Sequence, residues 1–263
     1  MNREKVLVTG ASLGIGAAVA KRLAEAGYAV TATSRQPGRI EKPLDGVRYL
    51  RLDLNDPSSM EACVNRAGDM DILINNAGRS HLAAAEAYPP DRTKALFQTN
   101  VFGPMRLIQG FLPGMRARRH GFILNVGSLA GKFPVPFQSA YVAGKSALAG
   151  YTWALRNEVM PFGIRVVVLE PSDIQTDIRP DTVMGGDAVY GDPLRKVRAT
   201  RAADMKRAPG PEIVARKVER ILKKKNPAPF YTVGGMAPLM VFVKRLLPDR
   251  TVEHLVRRKY GLS

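Results

Sequence analysis

Two residues in the middle of this sequence, Tyr141 and Lys145, have the types and the spacing needed for proton transfer. They are four residues apart in a segment that is predicted to be a helix beginning near Ser139, so both side chains lie on one helix face. A tyrosine hydroxyl normally titrates near pH 10. An ammonium about 5 Å away, at an effective dielectric constant of about 20, favours the phenolate by roughly 3 kcal/mol, or about two pKa units. The pair therefore predicts a tyrosine that exchanges a proton near neutral pH.

A third candidate, Ser128, lies thirteen residues before Tyr141. It comes just after the apolar run 122–126, which predicts a buried strand. Ligands bind at the ends of strands in parallel sheets, and a hydroxyl there can hold and polarise a carbonyl oxygen. A tyrosine and a lysine at this spacing also occur on solvated helix faces, so the rest of the chain has to decide between the two interpretations.

The elements that must position these groups are short apolar strands that alternate with helices. Strands are predicted at residues 5–9, 29–34, 47–52, 71–74, 122–126, 165–170 and 230–233. Helices are predicted at residues 91–119 and from Ser139 to about Met160. This alternation predicts an α/β fold with a doubly wound parallel sheet of the Rossmann type and helices on both faces.

A glycine-rich turn follows the first strand and opens the first helix. Glycines allow the backbone to approach a pyrophosphate, whose charge is then stabilised at the positive start of the helix. The order of strand, turn, helix and second strand favours dinucleotide binding over a tight turn without a ligand. The residues of this turn are Gly10, Ala11, Ser12, Leu13, Gly14, Ile15 and Gly16.

The end of the second strand indicates which dinucleotide is bound. In dinucleotide folds an acidic residue near this point binds the adenosine ribose, whereas an arginine accommodates a 2′-phosphate. The chain has Ser34 and Arg35 here and no acid, which favours NADP(H) over NAD(H). Asp53 and Leu54 follow the third strand, where the carboxylate can bind the adenine amino group or cap the turn before the helix that Pro57 opens.

Polar residues also occur where buried apolar ones would be expected. The fourth strand runs into residues 75–78, which read Asn-Asn-Ala-Gly. Amides are costly to bury without partners, so a polar role is expected there. Asn100 lies among the apolar residues of helix 91–119, and both a structural and a functional amide fit that position.

Composition places the chain among globular proteins. It has 263 residues, of which 45% are hydrophobic, enough for one large α/β core. The sequence has neither a run of 18 apolar residues nor a signal-peptide core, so we expect a cytoplasmic protein. The single cysteine, Cys63, cannot form an internal disulfide, which is consistent with a reducing compartment. No group of residues has the spacing of metal ligands, and we expect no metal.

Positive charge is concentrated in the last quarter of the chain. The formal net charge is +17, and residues 195–263 contain 18 basic and 5 acidic residues, against 22 and 18 before them. No nucleic-acid partner is expected, because no recognisable binding module accompanies the charge. Residues 236–263 predict an amphipathic helical extension of the domain formed by residues 1–235. This extension packs on the domain or on another subunit, or makes a peripheral membrane contact through its basic residues.

Residues 177–208, between the sixth strand and the basic helix at 211–225, are polar and rich in glycine, proline and arginine. The segment is long for a connection within a compact domain. Long loops in such domains often cover a site, so we predict a loop that acts as a lid.

The order and spacing of these motifs resemble the short-chain dehydrogenase/reductase family. The resemblance covers about residues 4–233. Within the family, Arg35 and the tail of the chain resemble the steroid and retinol dehydrogenase branch. Two positions depart from the family pattern: Gly127, where a serine is frequent, and Ser172, where a glycine is usual. The motifs that carry the resemblance are residues 10–16, 75–78, Asn100, Ser128, Tyr141 with Lys145, and 171–176.

The resemblance implies hydride transfer between a nicotinamide and a carbonyl or alcohol carbon. Tyr141 would be the general acid or base, and Lys145 would hold the nicotinamide ribose and lower the tyrosine pKa. Ser128 would orient the substrate oxygen, and Asn100 would support a proton relay through water. The cofactor would also be lined by Asn76, Ala77, Gly78, Pro171, Ser172, Ile174 and Thr176.

The family's substrate pocket falls on positions that are mostly apolar in this chain, namely Leu82, Phe133, Val135, Phe137, Val183 and Met184. This favours a small, largely apolar substrate such as a steroid, a retinoid or a terpenoid. One alternative is a 3-oxoacyl thioester reductase, since a basic surface attracts an acidic carrier. Another is a dinucleotide-binding sensor or scaffold without catalysis. The family further implies a homodimer or homotetramer, formed through the helices that begin near Asp91 and Ser139.

Overall fold

A computed structural model describes residues 3–176, 180–182 and 187–262, without the side chains of residues 187 and 188. Seven parallel strands form one sheet in the order β3-β2-β1-β4-β6-β7-β9. These strands are β1 (Lys5–Val8), β2 (Ala29–Ser34), β3 (Arg48–Arg51), β4 (Ile72–Asn75), β6 (Gly121–Val126), β7 (Ile164–Pro171) and β9 (Phe230–Val233). Two short strands, β5 (His81–Leu82) and β8 (Asp181–Thr182), pair with each other. The seven predicted strands and the fold class are confirmed.

Helices cover both faces of the sheet. Helices α1 and α7 pack on one face, and helices α2, α4 and α5 pack on the other. The helices of the described residues are α1 (Gly14–Glu25), α2 (Pro57–Ala67), α3 (Pro90–Phe97), α4 (Gly103–Ala117), α5 (Ser139–Val159), α6 (Asp187–Arg207), α7 (Glu212–Leu222), α8 (Ala237–Lys244) and α9 (Asp249–Lys259).

Alternation of side chains along the strands builds both hydrophobic cores. In β1, Val6 and Val8 face the layer of α1 and α7, whereas Leu7 faces the layer of α2, α4 and α5. Strand β6 repeats this pattern with Phe122 and Ile123. A strand covered on both faces is apolar throughout, which is why these strands are visible as apolar runs in the sequence.

The strand order also brings the polar motifs to one end of the sheet. After β1, the next strands, β2 and β3, are added on one side of it. After β4, the strands β6 and β7 are added on the opposite side, so the strand order reverses between β1 and β4. In open parallel sheets, ligands bind outside the carboxyl ends of the strands where the order reverses in this way. The glycine turn follows β1 and residues 75–78 end β4, so both lie at that switch point.

The predicted loop at 177–208 is wrong for most of its length, because residues 187–207 form helix α6. Its polar sequence, with Pro193 inside the helix, has a low helix propensity. Tertiary packing overrides this propensity, since Leu194 and Val197 are buried against Leu82 and Tyr260. Residues 177–179 and 183–186 lie outside the described residues, and the function of the segment as a lid stays a prediction.

The helix predicted at residues 91–119 consists of two helices joined by a π turn. Helices α3 and α4 flank this turn, Gln98–Phe102, in which the Gly103 amide donates to the Gln98 carbonyl oxygen five residues earlier. Single π turns inside helices occur frequently at functional sites. Asn100 lies in the middle of this one.

The tail forms the two short helices that its sequence predicts, α8 and α9. They follow β9, the strand at the edge of the sheet. Within the described ranges, no helix is both long enough and apolar enough to span a lipid bilayer.

Candidate active site

Helix α5 brings Tyr141 and Lys145 together in its first two turns. The helix begins at Ser139, as predicted, and places the Lys145 Nζ 5.9 Å from the centroid of the Tyr141 ring. Lys145 is buried, and its Nζ donates a 2.8 Å hydrogen bond to the carbonyl oxygen of Val126 at the end of β6. The amine is therefore held between its own helix and the neighbouring strand.

Ser128 reaches the same place from the end of strand β6. It is the N-cap of a short 3₁₀ helix, Leu129–Lys132, and its Oγ accepts a 3.1 Å hydrogen bond from the Ala130 amide. Ser128 and Tyr141 line the same crevice, and the Ser128 hydroxyl acts to lower the pKa of the Tyr141 phenol. Because Oγ accepts from a backbone amide, its own proton remains for donation to the phenol oxygen or to a substrate oxygen.

The pKa values of these groups differ from what the spacing predicts. Burial raises the pKa of the Tyr141 phenol, and the opposing effects of the Ser128 hydrogen bond and the Arg201 charge are smaller. Burial also lowers the pKa of Lys145 to about 8. The predicted lowering of the tyrosine pKa is therefore wrong, because removing the hydroxyl from water outweighs the Ser128 hydrogen bond and the Arg201 charge, and Lys145 is not among the groups that lower this pKa.

Asn100 lies in the π turn with both polar atoms of its side chain paired. Its Oδ1 accepts a 2.8 Å hydrogen bond from the Arg79 amide, and its Nδ2 donates a 2.8 Å hydrogen bond to the Arg79 carbonyl oxygen. A β-carbon added at Gly78 would lie 3.4 Å from the Asn100 Oδ1 and 3.6 Å from the Lys145 Nζ. Asn100 thus fixes the loop that leaves β4 beside the lysine, and its part in a water relay stays a prediction.

The amide side chain of Asn76 holds the glycine turn in place. Its Nδ2 donates hydrogen bonds of 2.9 Å to the Thr9 carbonyl oxygen and 3.2 Å to the Gly10 carbonyl oxygen. In return, the Thr9 Oγ1 accepts hydrogen bonds from the backbone amides of Asn76 and Ala77. These contacts join the ends of β1 and β4, so the polar role expected at this strand end includes a structural one.

The glycine turn and the start of α1 fit a pyrophosphate. Gly10 and Gly14 have φ angles of +64° and +58°, which favour glycine, and Gly16 packs directly against the carbonyl of Gly10. Ser12 and Leu13 are exposed, and Leu13, at the N-cap position, supplies no side-chain hydrogen bond to the helix. The first amides of α1 are therefore left without a side-chain cap and can bind an anion.

The residues predicted to hold the adenosine end lie together after β2 and β3. Ser34 is half-buried, and Arg35 is exposed next to it. The Asp53 Oδ1 accepts a 2.9 Å hydrogen bond from the amide two residues later, whereas Asp56 is the residue that caps α2. Asp53 thus stabilises its own turn, and the neighbouring Leu54 is buried in the core.

The segment after β7 closes over the glycine turn. Pro171 is the last residue of β7, and the Ser172 amide donates a 2.9 Å hydrogen bond to the last carbonyl of β9. Ile174 is buried in the core and anchors the segment. A β-carbon added at Gly14 would lie 3.3 Å from the Thr176 Cβ, so Thr176 faces the turn.

One crevice with a volume of about 240 Å³ connects the proton-transfer residues with the side of the glycine turn. One part of its wall consists of Ile15, Asn76, Gly78, Pro171, Ser172, Ile174 and Thr176. Ser128, Tyr141 and Lys145 line it as well, together with the predicted pocket residues Phe133 and Val135. The structure therefore brings the proton-transfer residues and the glycine-turn side together in one cavity.

Phe137, which was expected to contact substrate, does not line this crevice. Its ring packs edge-on against Tyr190 of α6, with 6.0 Å between the ring centroids, and the residue belongs to the cluster that joins α6 to the domain. Leu82 lies in the same cluster. Two other residues expected in the pocket, Val183 and Met184, lie outside the described residues.

Several residues of the crevice were missed by sequence reasoning. Gln138 is buried, and its Nε2 donates hydrogen bonds to Ser80 and His81, but its Oε1 has no partner among the described residues. Its position three residues before Tyr141 is the signal that could have identified it. The other missed residues come from distant segments that only the fold brings together: Arg201, Met205, Met240, Val256, Lys259 and Tyr260.

One departure from the family pattern, Gly127, has a steric explanation. A β-carbon at this position would lie 3.1 Å from the Val168 Cγ1 and 3.3 Å from the Glu170 Cγ. Glu170 is buried beside Gly127, where its carboxylate pairs with Lys132. The glutamate stem therefore fills the space that a serine side chain would need.

Gly127→Ser is expected to lower the free energy of unfolding by about 1–3 kcal/mol, because the new side chain overpacks a closed part of the core. Gly150→Ala is the matched control, since nothing lies within 4 Å of a β-carbon added there. This control should leave stability unchanged or raise it by up to about 1 kcal/mol. Chemical denaturation measures both, and equal stability of the two variants would contradict the steric explanation.

Comparisons with known proteins identify the family of the chain. The family model described as "short chain dehydrogenase" matches residues 4–184. The 3-ketodihydrosphingosine reductase of Bacteroides thetaiotaomicron is 32% identical over 100% of both chains. The human 17-beta-hydroxysteroid dehydrogenase type 1 is 35% identical over 67% of this chain and 58% of its own length. A solved short-chain dehydrogenase from Streptomyces avermitilis superposes with a TM-score of 0.81 at 30% identity over 98% of both chains.

Proposed function

The chain belongs to the short-chain dehydrogenase family, and we propose that it transfers a hydride between NADP(H) and a carbonyl or hydroxyl group of a largely apolar molecule. Membership of the family makes the protein an oxidoreductase. The choice of NADP(H) and the apolar character of the substrate are our proposal.

The convergence of Ser128, Tyr141 and Lys145 on one crevice with the glycine turn carries this proposal. A nicotinamide dinucleotide bound at the turn supplies or accepts the hydride, while the protein moves the proton and holds the reacting oxygen. A sensor or scaffold that only binds a dinucleotide has no use for a half-buried tyrosine, a buried lysine and a serine on the wall of one crevice. The arrangement therefore favours the enzyme over the non-catalytic alternative.

The protonation states support carbonyl reduction near neutral pH. Burial keeps the Tyr141 phenol protonated, so it can give its proton to a developing alkoxide oxygen. Ser128 is placed to donate a hydrogen bond to that same oxygen. Below about pH 8 the Lys145 amine is protonated, and its charge favours the phenolate that forms when the proton has left.

The walls of the crevice support an apolar substrate with a small polar part. Phe133, Val135 and Met205 provide apolar surface, and the hydroxyl groups of Ser128 and Tyr141 provide the polar part. Steroids, retinoids and terpenoids fit this pattern. The relation to a 3-ketodihydrosphingosine reductase favours adding long-chain amphipathic ketones to these candidates. A 3-oxoacyl thioester is the alternative that the basic surface favours.

A substrate screen tests the proposed function. Steroid, retinoid, sphingoid and 3-oxoacyl thioester ketones, and the corresponding alcohols, would be incubated with NADPH, NADH or their oxidised forms while the absorbance of the reduced nicotinamide is followed. We expect turnover of an apolar ketone with NADPH. Turnover of acyl thioesters alone would select the alternative, and binding of dinucleotide with no turnover of any carbonyl or alcohol would support the sensor.

Arg35→Asp tests the choice of cofactor. The exposed guanidinium is expected to bind the 2′-phosphate of NADPH, and the aspartate would repel it and accept hydrogen bonds from the ribose of NADH. The ratio of kcat/KM with NADPH to kcat/KM with NADH should fall by about tenfold to a hundredfold. Arg106→Asp changes the charge equally on an exposed position of α4 and should leave the ratio unchanged. An unchanged ratio in Arg35→Asp would rule out this role.

A homodimer or homotetramer, formed through the helices that begin near Asp91 and Ser139, is part of the proposal. Exposed Phe102 and Trp153, on the π turn and on α5, support such an interface. Size-exclusion chromatography with light scattering measures the molecular mass, and a monomer would contradict the expectation.

A further inference from the structure

Helix α8 exposes to solvent the apolar side chains that a helix normally buries against its domain. Phe242 is 60% exposed and Leu246, just after the helix, is 70% exposed. Of the residues within the helix, Ala237 is the buried one. The other apolar side chains exposed in this segment are Met236, Leu239, Met240 and Val243.

Helix α9, which follows α8 in the tail, is packed on the domain. Val252 and Tyr260 are buried, and Tyr260 joins Leu194 and Val197 of α6 in one cluster. The tail as a whole is therefore packed on the domain, and the exposure of apolar side chains is specific to α8. Its first amide, at Ala237, donates a 3.0 Å hydrogen bond to the carbonyl oxygen of Gly234, the residue that follows β9.

Two basic residues lie at the C-terminal end of this apolar face. Lys244 ends α8, and Arg245, which is exposed, follows it directly. Residues 236–262 contain six basic and two acidic residues, and none of the acidic ones lies in α8. An occupant of the face should therefore be apolar in its interior and negatively charged at its surface.

We propose that α8 docks on an anionic lipid bilayer surface, parallel to the membrane plane. Its eight residues span about 12 Å, far less than the roughly 30 Å hydrocarbon core, so the helix lies on the bilayer and does not cross it. An apolar face with Lys and Arg beside it is the pattern of interfacial helices. A second copy of the chain is a poorer occupant, because it would bring Lys244 and Arg245 against the same positive charges.

The position of α8 gives this docking a consequence for the active site. Met240 lines the crevice and is 39% exposed, so one side chain belongs to both the crevice wall and the apolar face. Val256 and Tyr260 of the tail line the same wall. Docking would place the mouth of the crevice against the lipid, from which an apolar substrate can reach Tyr141. This consequence rests on the proposed function, whereas the docking itself does not.

Flotation of the full chain with lipid vesicles tests the docking. The probes are vesicles of phosphatidylcholine alone and vesicles that contain one quarter phosphatidylglycerol. The native chain should float with the anionic vesicles, and raised salt should weaken binding because it screens the basic residues. Phe242→Glu with Leu246→Glu should reduce affinity at least about a hundredfold, since both apolar anchors are lost. Lys244→Gln with Arg245→Gln should reduce it about fivefold per charge.

Met160→Glu with Val189→Glu is the matched control, because it changes the charge equally at two exposed apolar residues outside the tail. It should float like the native chain, and so should Tyr141→Phe, which separates docking from catalysis. Failure of the native chain to float, or equal binding by the α8 variant and the control, overturns the proposal. A change from dimer to monomer in the α8 variant, measured by light scattering without vesicles, would instead assign the face to a second copy.

Discussion

Tyr141→Phe is expected to reduce kcat/KM for carbonyl reduction by roughly a hundredfold to ten-thousandfold, the usual contribution of a positioned proton donor. The variant loses the hydroxyl that meets Ser128 and the crevice, but it keeps the ring that packs near Lys145. Dinucleotide affinity should therefore change little. Steady-state kinetics and fluorescence titration with NADPH measure the two effects separately.

Tyr151→Phe is the control for this prediction. Tyr151 is a half-buried tyrosine of the same helix, ten residues from Tyr141, and it does not line the crevice. Its replacement should leave kcat/KM unchanged. Undiminished turnover in Tyr141→Phe, with full dinucleotide binding, would remove the proton donor from the mechanism and with it the interpretation of the crevice as a reductase site.

Lys145→Met is expected to abolish turnover and to stabilise the fold. The pKa of Lys145 falls from 10.5 to about 8 on folding because the amine is buried. That difference corresponds to about 3 kcal/mol of destabilisation when the amine is charged. Losing the hydrogen bond to Val126 costs about 1 kcal/mol, so the variant should gain about 2 kcal/mol at neutral pH. Thermal and urea unfolding measure the gain.

The gain in stability should depend on pH in a defined direction. Because the folded-state pKa lies below the unfolded-state value, the native chain carries the full penalty below about pH 8. The penalty disappears as the pH rises from about 8 towards 10.5, where the amine is neutral in both states. The stability difference between Lys145→Met and the native chain should therefore shrink by about 3 kcal/mol over that range.

Lys94→Met is the matched control for this pH dependence. Lys94 is an exposed residue of α3, so its replacement should not change the slope of stability against pH. If the stabilities of the native chain and of Lys145→Met changed in parallel with pH, burial of Lys145 would not lower its pKa. Loss of stability in the variant below pH 8 would show that the hydrogen bond to Val126 outweighs the burial.

Local patterns in the sequence were sufficient for most of the sheet and for the centre of the site. Strand β1 is an apolar run because both of its faces are covered, and the glycine turn after it is a local structure that few other residues can form. The spacing of Tyr141 and Lys145 fixes their relation within any helix, and α5 begins where predicted. Ser128 could be placed because it lies two residues after the end of an apolar run.

The wrong predictions share a physical reason, which is that long-range packing decided them. Helix α6 has a polar sequence with a proline, and burial of Leu194 and Val197 against other segments makes it a helix. The amide of Asn100 in the π turn pairs with Arg79, in a different segment of the chain, which local sequence patterns do not indicate. The pKa of Tyr141 rises because the surrounding elements remove its hydroxyl from water, an effect that residue spacing cannot express.

The sequence by itself determined which groups are the candidates for the chemistry, because residue types and short spacings are kept in any fold that keeps the local element. Only the tertiary structure decided what surrounds those groups. Gln138, Arg201 and Met240 lie at the crevice because three distant segments meet there, and the unfilled face of α8 exists because its neighbours do not cover it. Burial depends on every element at once, so it is known only when the whole chain has folded.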